Sequence, residues 1–179
     1  MTAAAARNGA ARRSPVRSAL RRIWNVGAWL PVLADRRGLR WLLSGRLAGA
    51  PIVILTHRGR RSGRVYRTPV EAIVEDHATG EVVVSPMRGR RGDWFRNIVA
   101  GGLVEVSLRG ERFRPEWREL SESENREALE RYRGEHPIYG RIVLSALARL
   151  HGLDGETLPA VAGAIPMLAL KLPAGRPLA

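Results

Sequence analysis

The chain has 179 residues and a formal net charge of +13, a length that suits one domain burying about 70% of its unfolded surface. It contains no cysteine, which excludes disulfide scaffolds, thiolate metal sites and cysteine nucleophiles. Its histidines, His57, His77, His136 and His151, show no metal-ligand spacing, so no metal site is expected.

Residues 1–15 are rich in Ala, Arg and Gly without apolar periodicity. They read as a disordered basic tail, leaving 16–179 as a single domain. Leu20, Ile23, Trp24 and Gly27 recur at helical spacing between Arg17 and Leu30, and Pro31 ends the run. Arg37–Leu47 reads as a second helix with Leu39, Leu42, Leu43 and Leu47 on one face. The apolar stretch Ile23–Ala34 follows Arg21 and Arg22, as the centre of a signal peptide would. It contains Asn25, Gly27 and Pro31, however, and falls short of the roughly 20 residues that span a bilayer. The expectation is a folded, uncleaved helix.

Strand signals follow. Pro51–His57 is a short apolar strand, and Val65–Glu75 alternates with Tyr66, Thr68, Val70, Ala72 and Val74 on one face. After a turn at 76–80, Glu81–Ser85 is a third strand leading into the loop 86–92. Asp93 is expected to cap a short helix, Trp94–Ala100, ended by Gly101 and Gly102. Leu103–Leu108 and Arg112–Leu120 read as two strands joined by a turn. Ser121 and Glu124 form a capping box that opens a helix through Arg133. A further helix after Pro137 carries Ile138, Tyr139, Ile142, Val143, Ala146, Leu147 and Leu150 on one apolar face, and Ile165–Leu172 reads as the last strand. Without strict βαβ alternation, the order predicts an α+β fold, a small antiparallel barrel flanked by N-terminal and C-terminal helices.

The charge is unevenly placed. Residues 1–50 hold ten arginines against one acid, 51–100 nine against five, and beyond residue 100 the charges cancel. Such asymmetry points to an anionic partner for the first hundred residues: a membrane surface, nucleic acid or a phosphorylated ligand. The densest basic stretch, Thr56 to Pro69, carries Arg58, Arg60, Arg61, Arg64 and Arg67, with Gly59 and Gly63 bracketing its centre. A glycine-flanked turn offering backbone N–H groups and guanidinium forks suits a phosphate; the alternative is a solvated hairpin tip. Pro86–Gly92 is a second loop rich in glycine and arginine.

Catalytic motifs are otherwise missing. There is no nucleophile elbow, no phosphate-binding loop ending in Gly-Lys-Ser/Thr and no dinucleotide fingerprint. Ser62 has no histidine placed by sequence to activate it. Glu71 and Glu75 read as outward-facing strand residues, and His57 as a half-buried strand-end histidine. Two anion loops with so few nucleophile–base pairs suit a protein whose cofactor carries the chemistry.

Taken in order, three motifs resemble the deazaflavin-dependent nitroreductase family, also called the F420-dependent quinone reductase family. They are Ile54–Thr56 running to Gly59-Arg-Arg-Ser-Gly63 with Thr68-Pro69; Val82–Ser85 entering the Arg88-Gly89 loop; and Asp93-Trp94-Phe-Arg-Asn97-Ile98 followed by Val104-Glu-Val and Arg109-Gly110. The likeness spans about residues 20–120 and implies a split β-barrel. It implies that Gly59, Arg60, Arg61, Ser62 and Gly63 hold the phosphate and acidic tail of coenzyme F420. Arg67, Thr68 and Pro69 would line the pocket, Ser85, Pro86, Met87 and Arg88 would approach the ring, and Trp94 and Asn97 would anchor the short helix. Pro86 stands where some members carry a lysine, a contact that Arg88 would take over. Beyond residue 121 the likeness fades, and Tyr132 or Tyr139 would serve where members use tyrosines.

The expected protein is a reductase passing a hydride from reduced F420 to a quinone-like, nitroaromatic or other conjugated acceptor, with Ser85 or Tyr139 donating a proton or hydrogen bond to it. An FMN-binding split-barrel reductase is the alternative. An arginine-rich nucleic-acid module is disfavoured, because aromatics are not interleaved with the arginines. A cytoplasmic location is expected, with the basic Trp24/Trp29 helix either resting on the inner membrane face, to the benefit of a lipid-soluble acceptor, or packing on the barrel. The oligomeric state stays open, a dimer included.

Overall fold

β1 (Ile52–Arg58) and β2 (Val65–Asp76) pair antiparallel across the basic turn, from Ile52 opposite Glu71 to Arg58 opposite Val65. The computed structural model describes residues 50–153 and 158–173. The two expected N-terminal helices, the basic tail and the bilayer contact lie outside the described residues. β3 (Glu81–Val84) follows a turn in which the Asp76 carboxylate accepts from the N–H groups of Ala78 and Thr79. Those bonds, Thr79 foremost, hold Asp76 below its ordinary pKa.

Seven strands form one antiparallel sheet. The others are β4 (Leu103–Leu108), β5 (Glu111–Phe113), β6 (Glu116–Glu119) and β7 (Leu168–Lys171), in the order β5-β4-β1-β2-β3-β7-β6. The expected single strand Arg112–Leu120 is thus two strands on opposite edges of the sheet, divided at Arg114 and Pro115. Proline cannot donate to a ladder, which breaks the run there. In a flat sheet six strand spacings would separate these edges by about 29 Å, yet the three steps from Phe113 to Glu116 reach at most about 11 Å. The sheet must therefore curl until its edges approach. The result is a half-barrel.

Alternation along the strands fills both of its faces. Val53, Leu55, Val82, Val84, Val106, Leu168 and Leu170 point inward with Phe95 and Ile98. Ile73, Val74, Val83 and Ala169 point outward, under the helices. Ala72 is inward while Ile73 and Val74 are both outward, because the β2–β3 register slips by one residue between Ala72 and Val74.

Four helices complete the described fold: α1 (Asp93–Asn97), α2 (Glu122–Glu135), α3 (Pro137–His151) and α4 (Leu158–Ala164). Asp93 is the first helical residue rather than the cap, which is Gly92. The α-helical turns end at Asn97, with a wider turn over Ile98–Gly102. The capping box is present, with Glu124 accepting from the Ser121 N–H at 2.8 Å. That N–H, the Ser121 hydroxyl and Arg118 bring Glu124 down to about 2. β7 begins at Leu168 rather than Ile165, since Pro166 has no N–H for the ladder.

The buried face of α3 differs from the apolar stripe expected of it. Gly140, Leu144, Leu147 and Ala148 are buried, whereas Ile138, Ile142 and Leu150 are 78%, 60% and 56% exposed. Gly140 decides this. A Cβ there would stand 3.2 Å from the Arg133 Cα and 3.5 Å from the Tyr132 carbonyl oxygen of α2, so the bare backbone is what lets the two helices close. Leu144→Ala should cost about 2–5 kcal/mol and Ile142→Ser less than about 0.5 kcal/mol in urea titrations. Comparable losses would restore the stripe expected from the sequence.

Candidate functional site

The turn between β1 and β2 is closed by two backbone bonds of 2.8 Å: the Gly59 N–H donates to Arg64 and the Gly63 N–H to Gly59. Gly63 takes φ +65°, and a Cβ on Gly59 would stand 2.7 Å from the Ser62 hydroxyl and 2.8 Å from the Tyr66 ring. This tight base pushes Arg61, Ser62 and Arg64 into solvent. Among the described residues, the N–H groups of Arg61 and Ser62 have no acceptor and the guanidiniums of Arg61 and Arg64 no ion pair. The tip is a basic lip with open amides, a concavity suited to an anion.

Arg60 does a different job. Its N–H and one guanidinium nitrogen donate to Asn97 Oδ1 at 3.1 and 2.9 Å, and the guanidinium reaches Asp93 at 3.3 Å. With Oδ1 so occupied, Asn97 Nδ2 faces His57 Nδ1 at 3.2 Å and must donate to it. The imidazole proton then lies on Nε2, which donates to Thr68 Oγ1 at 3.0 Å. His57 is buried, more so than the half-buried residue expected, and its ring stacks on Tyr66. Burial lowers its pKa and keeps it neutral. One chain of bonds therefore ties the turn, β1, β2 and α1 together.

Below the lip, the β1–β2 register sets Thr56 beside Arg67, Ile54 beside Pro69 and Ile52 beside Glu71 on the outer face of the sheet. Thr68 points the other way, toward His57. Ala72 pairs with Val84, so the next position on each strand sets Ser85 opposite Glu71. The hydroxyls of Thr56 and Ser85 are both buried without a hydrogen-bond partner. Pro86 is buried, while Met87 and Arg88 are exposed, and His151 Nε2 meets the Met87 carbonyl oxygen at 3.1 Å. Trp94 packs against the barrel interior and edge-on to Phe95, so it anchors α1.

Neither glutamate of β2 is simply solvated. Glu75 is gripped by both terminal nitrogens of Arg109 at 2.5 Å. Glu71 is partly buried and accepts from the phenols of Tyr132 at 2.7 Å and Tyr139 at 3.3 Å. Burial raises its pKa against the downward pull of the phenols. Both phenols are raised in turn, by burial first and then by Glu71.

Apart from Trp94 and the second loop, Pro86 to Arg88, the sequence-predicted residues fall into three groups. Gly59 to Gly63 form the lip, and Arg60, Asn97 and Thr68 brace it. Arg67, Pro69 and Ser85 line a polar outer face that reaches Tyr139 through Glu71. Sequence reasoning gave His57 and Glu71 only structural places and gave His151 none. Glu71 left one trace, an acid between Val70 and Ala72 on a strand bound for burial. A planar heterocycle with carbonyl groups and an anionic tail fits this arrangement, since it would give the Thr56 and Ser85 hydroxyls partners and the lip a counter-charge.

Fold and charge together define a split-barrel protein with a basic lip at one end of a polar face. The model of the F420H(2)-dependent quinone reductase family matches residues 35–143, more than half of the chain, and the protein belongs to that family. It is an oxidoreductase that works with coenzyme F420. A solved structure described as an F420-H2 dependent reductase (FDR-A) is similar at 19% identity, covering 67% of this chain and 93% of its own, with a TM-score of 0.45. Another, described as a domain-swapped dimer, has the same identity and TM-score over 77% of this chain and 96% of its own. No curated protein matches the sequence.

The network has a pH signature. A histidine held neutral contributes stability that is complete above its ordinary value of 6.5 and lost as the pH falls toward the depressed one. Urea titrations between pH 7.5 and 5 should show that loss, and Asn97→Ala should flatten it. The variant should also lose about 2–5 kcal/mol at pH 7.5, because it strands the Arg60 N–H and the His57 ring. An unchanged pH slope would show that Asn97 does not hold the histidine.

Proposed function

We propose that the protein reduces a quinone with F420, the coenzyme's phosphate tail lying on the lip at Arg61, Ser62 and Gly63 and its ring on the outer face toward Ser85. Arg60 acts from behind, shaping the turn through Asn97 and Asp93. Arg67 and Pro69 flank the ring, and Met87 and Arg88 cover it from the second loop. When bound, the reduced coenzyme supplies the hydride. The protein's share is orientation, a matched electrostatic cradle and a hydrogen bond or proton for the acceptor oxygen.

One observation carries this reading. The two buried hydroxyls without partners, Thr56 and Ser85, lie on the same face that begins at the open amides of the lip. Buried polar groups rarely go unpaired, and a ligand on this face would give both hydroxyls a partner. The family's name supports the quinone as acceptor. A nitroaromatic would need the same face and the same reductant.

Titration with F420, with its tail-less deazaflavin riboside and with FMN tests the reading through ligand fluorescence. Wild-type protein should bind F420 best. Arg61→Ala should weaken F420 about tenfold, the effect of one partly solvated charge-assisted contact, and leave the riboside unaffected. Arg60→Ala should weaken both ligands, because it disorganises the turn. Equal binding of FMN and F420, or no saturable F420 binding, would overturn the assignment.

A further inference from the structure

Glu71, Tyr132 and Tyr139 form a cluster that cofactor binding leaves unused. Tyr132 is wholly buried on α2 and donates to one carboxylate oxygen; Tyr139, from α3, is only partly buried and donates to the other. Among the described residues, the further groups facing this carboxylate are His136, at the α2–α3 junction and edge-on to Tyr132, and the uncharged Ile52 and Ser85 on the neighbouring strands. No arginine pairs with it among the described residues. That is unusual for a carboxylate against a core in a chain with 29 arginines.

The hydrogen bonds can run two ways. With Glu71 ionised, both phenols donate into it and the Tyr139 proton is committed inward. With Glu71 protonated, its O–H can donate to the Tyr139 oxygen, and the Tyr139 O–H is released toward the polar face where Ser85 lies. Tyr132 stays fixed in either state and acts as the hinge pin of the carboxyl group.

We propose that Glu71 is the proton store of the reduction and delivers its proton to the acceptor oxygen through Tyr139. This rests on the reading of the outer face as the site of quinone reduction. Hydride addition brings an electron pair to the quinone and leaves one oxygen negative. The Tyr139 O–H bond breaks as a new O–H bond forms on that oxygen, and the Tyr139 oxygen takes the proton from Glu71. The carboxylate left behind is reprotonated from water. One hydride from the reduced coenzyme and one proton from Glu71 together make the quinol. Burial raises the pKa of Glu71, which keeps the store filled closer to neutral pH than an ordinary glutamate would.

The test couples two measurements. Carboxyl-carbon NMR of the protein loaded with reduced F420, assigned with Glu71→Gln, gives the midpoint at which Glu71 titrates. Single-turnover reduction of menadione by protein loaded with reduced F420 gives the rate against pH. The rate should fall about tenfold per pH unit above that same midpoint. Glu71→Gln and Tyr139→Phe should both remove this limb and lower the acid-side rate about 100-fold, with F420 affinity retained. Tyr132→Phe removes a bond to the carboxylate and should move both midpoints upward together. A limb that survives in Glu71→Gln or Tyr139→Phe, or midpoints that separate in Tyr132→Phe, would overturn the relay. Failure of the wild-type protein to bind F420 or reduce menadione would instead remove the site reading beneath it.

Discussion

Arg114 and Pro115 carry the chain from one edge strand of a seven-stranded sheet to the other. A link so short leaves the sheet no flat alternative, and the curl it imposes produces an inside and an outside of different character. The inside is filled by aliphatic side chains from β1, β3, β4 and β7 together with Phe95 and Ile98 of the α1 segment. The outside is divided. Among the described residues, helices cover the part formed by β2, β3 and β7, while β1 and β2 bring Thr56, Arg67 and Glu71 to the same side beside Ile52, Ile54 and Pro69. Glu71 stands on that boundary, receiving two phenols from the helices while its strand neighbours belong to the β1–β2 face.

The braced lip depends on a second constraint, at Asn97. A buried amide has four hydrogen-bonding sites, and here they connect Arg60 on one side with His57 on the other. Because Asn97 and His57 are buried, the bond between them is stronger than an exposed counterpart and its loss more costly. The consequence is division of labour among arginines that look alike in sequence. Arg60 is spent on structure, whereas Arg61 and Arg64 remain available to a ligand.

The legible part of this protein was local. The basic turn between two apolar strands, the Asp93–Asn97 segment and the capping box at Ser121 all carry their meaning within a few residues, and the order of the first motifs was enough to indicate the family. Non-local packing was harder to read. Nothing in Arg112–Leu120 states that its halves pair with strands on opposite edges, except the proline. The face that α3 buries was decided by Gly140 against α2, not by the stripe of large apolar residues around Ile142. Glu71 read as a surface acid because alternation alone cannot reveal two tyrosines arriving from helices more than sixty residues away. His57 read as half-buried because its partners, Thr68 and Asn97, lie on other elements.

β3 bears on how the molecule comes apart. Val82 and Val84 belong to the interior of the barrel and Val83 to the layer beneath the helices; on β7, Leu168 and Leu170 face one way and Ala169 the other. The two apolar clusters are thus opposite sides of the same pair of strands. Neither can melt while the other keeps β3 and β7 in place, so barrel and helical layer constitute one cooperative unit. A calorimeter would register this as a single transition in which the van't Hoff and calorimetric enthalpies agree.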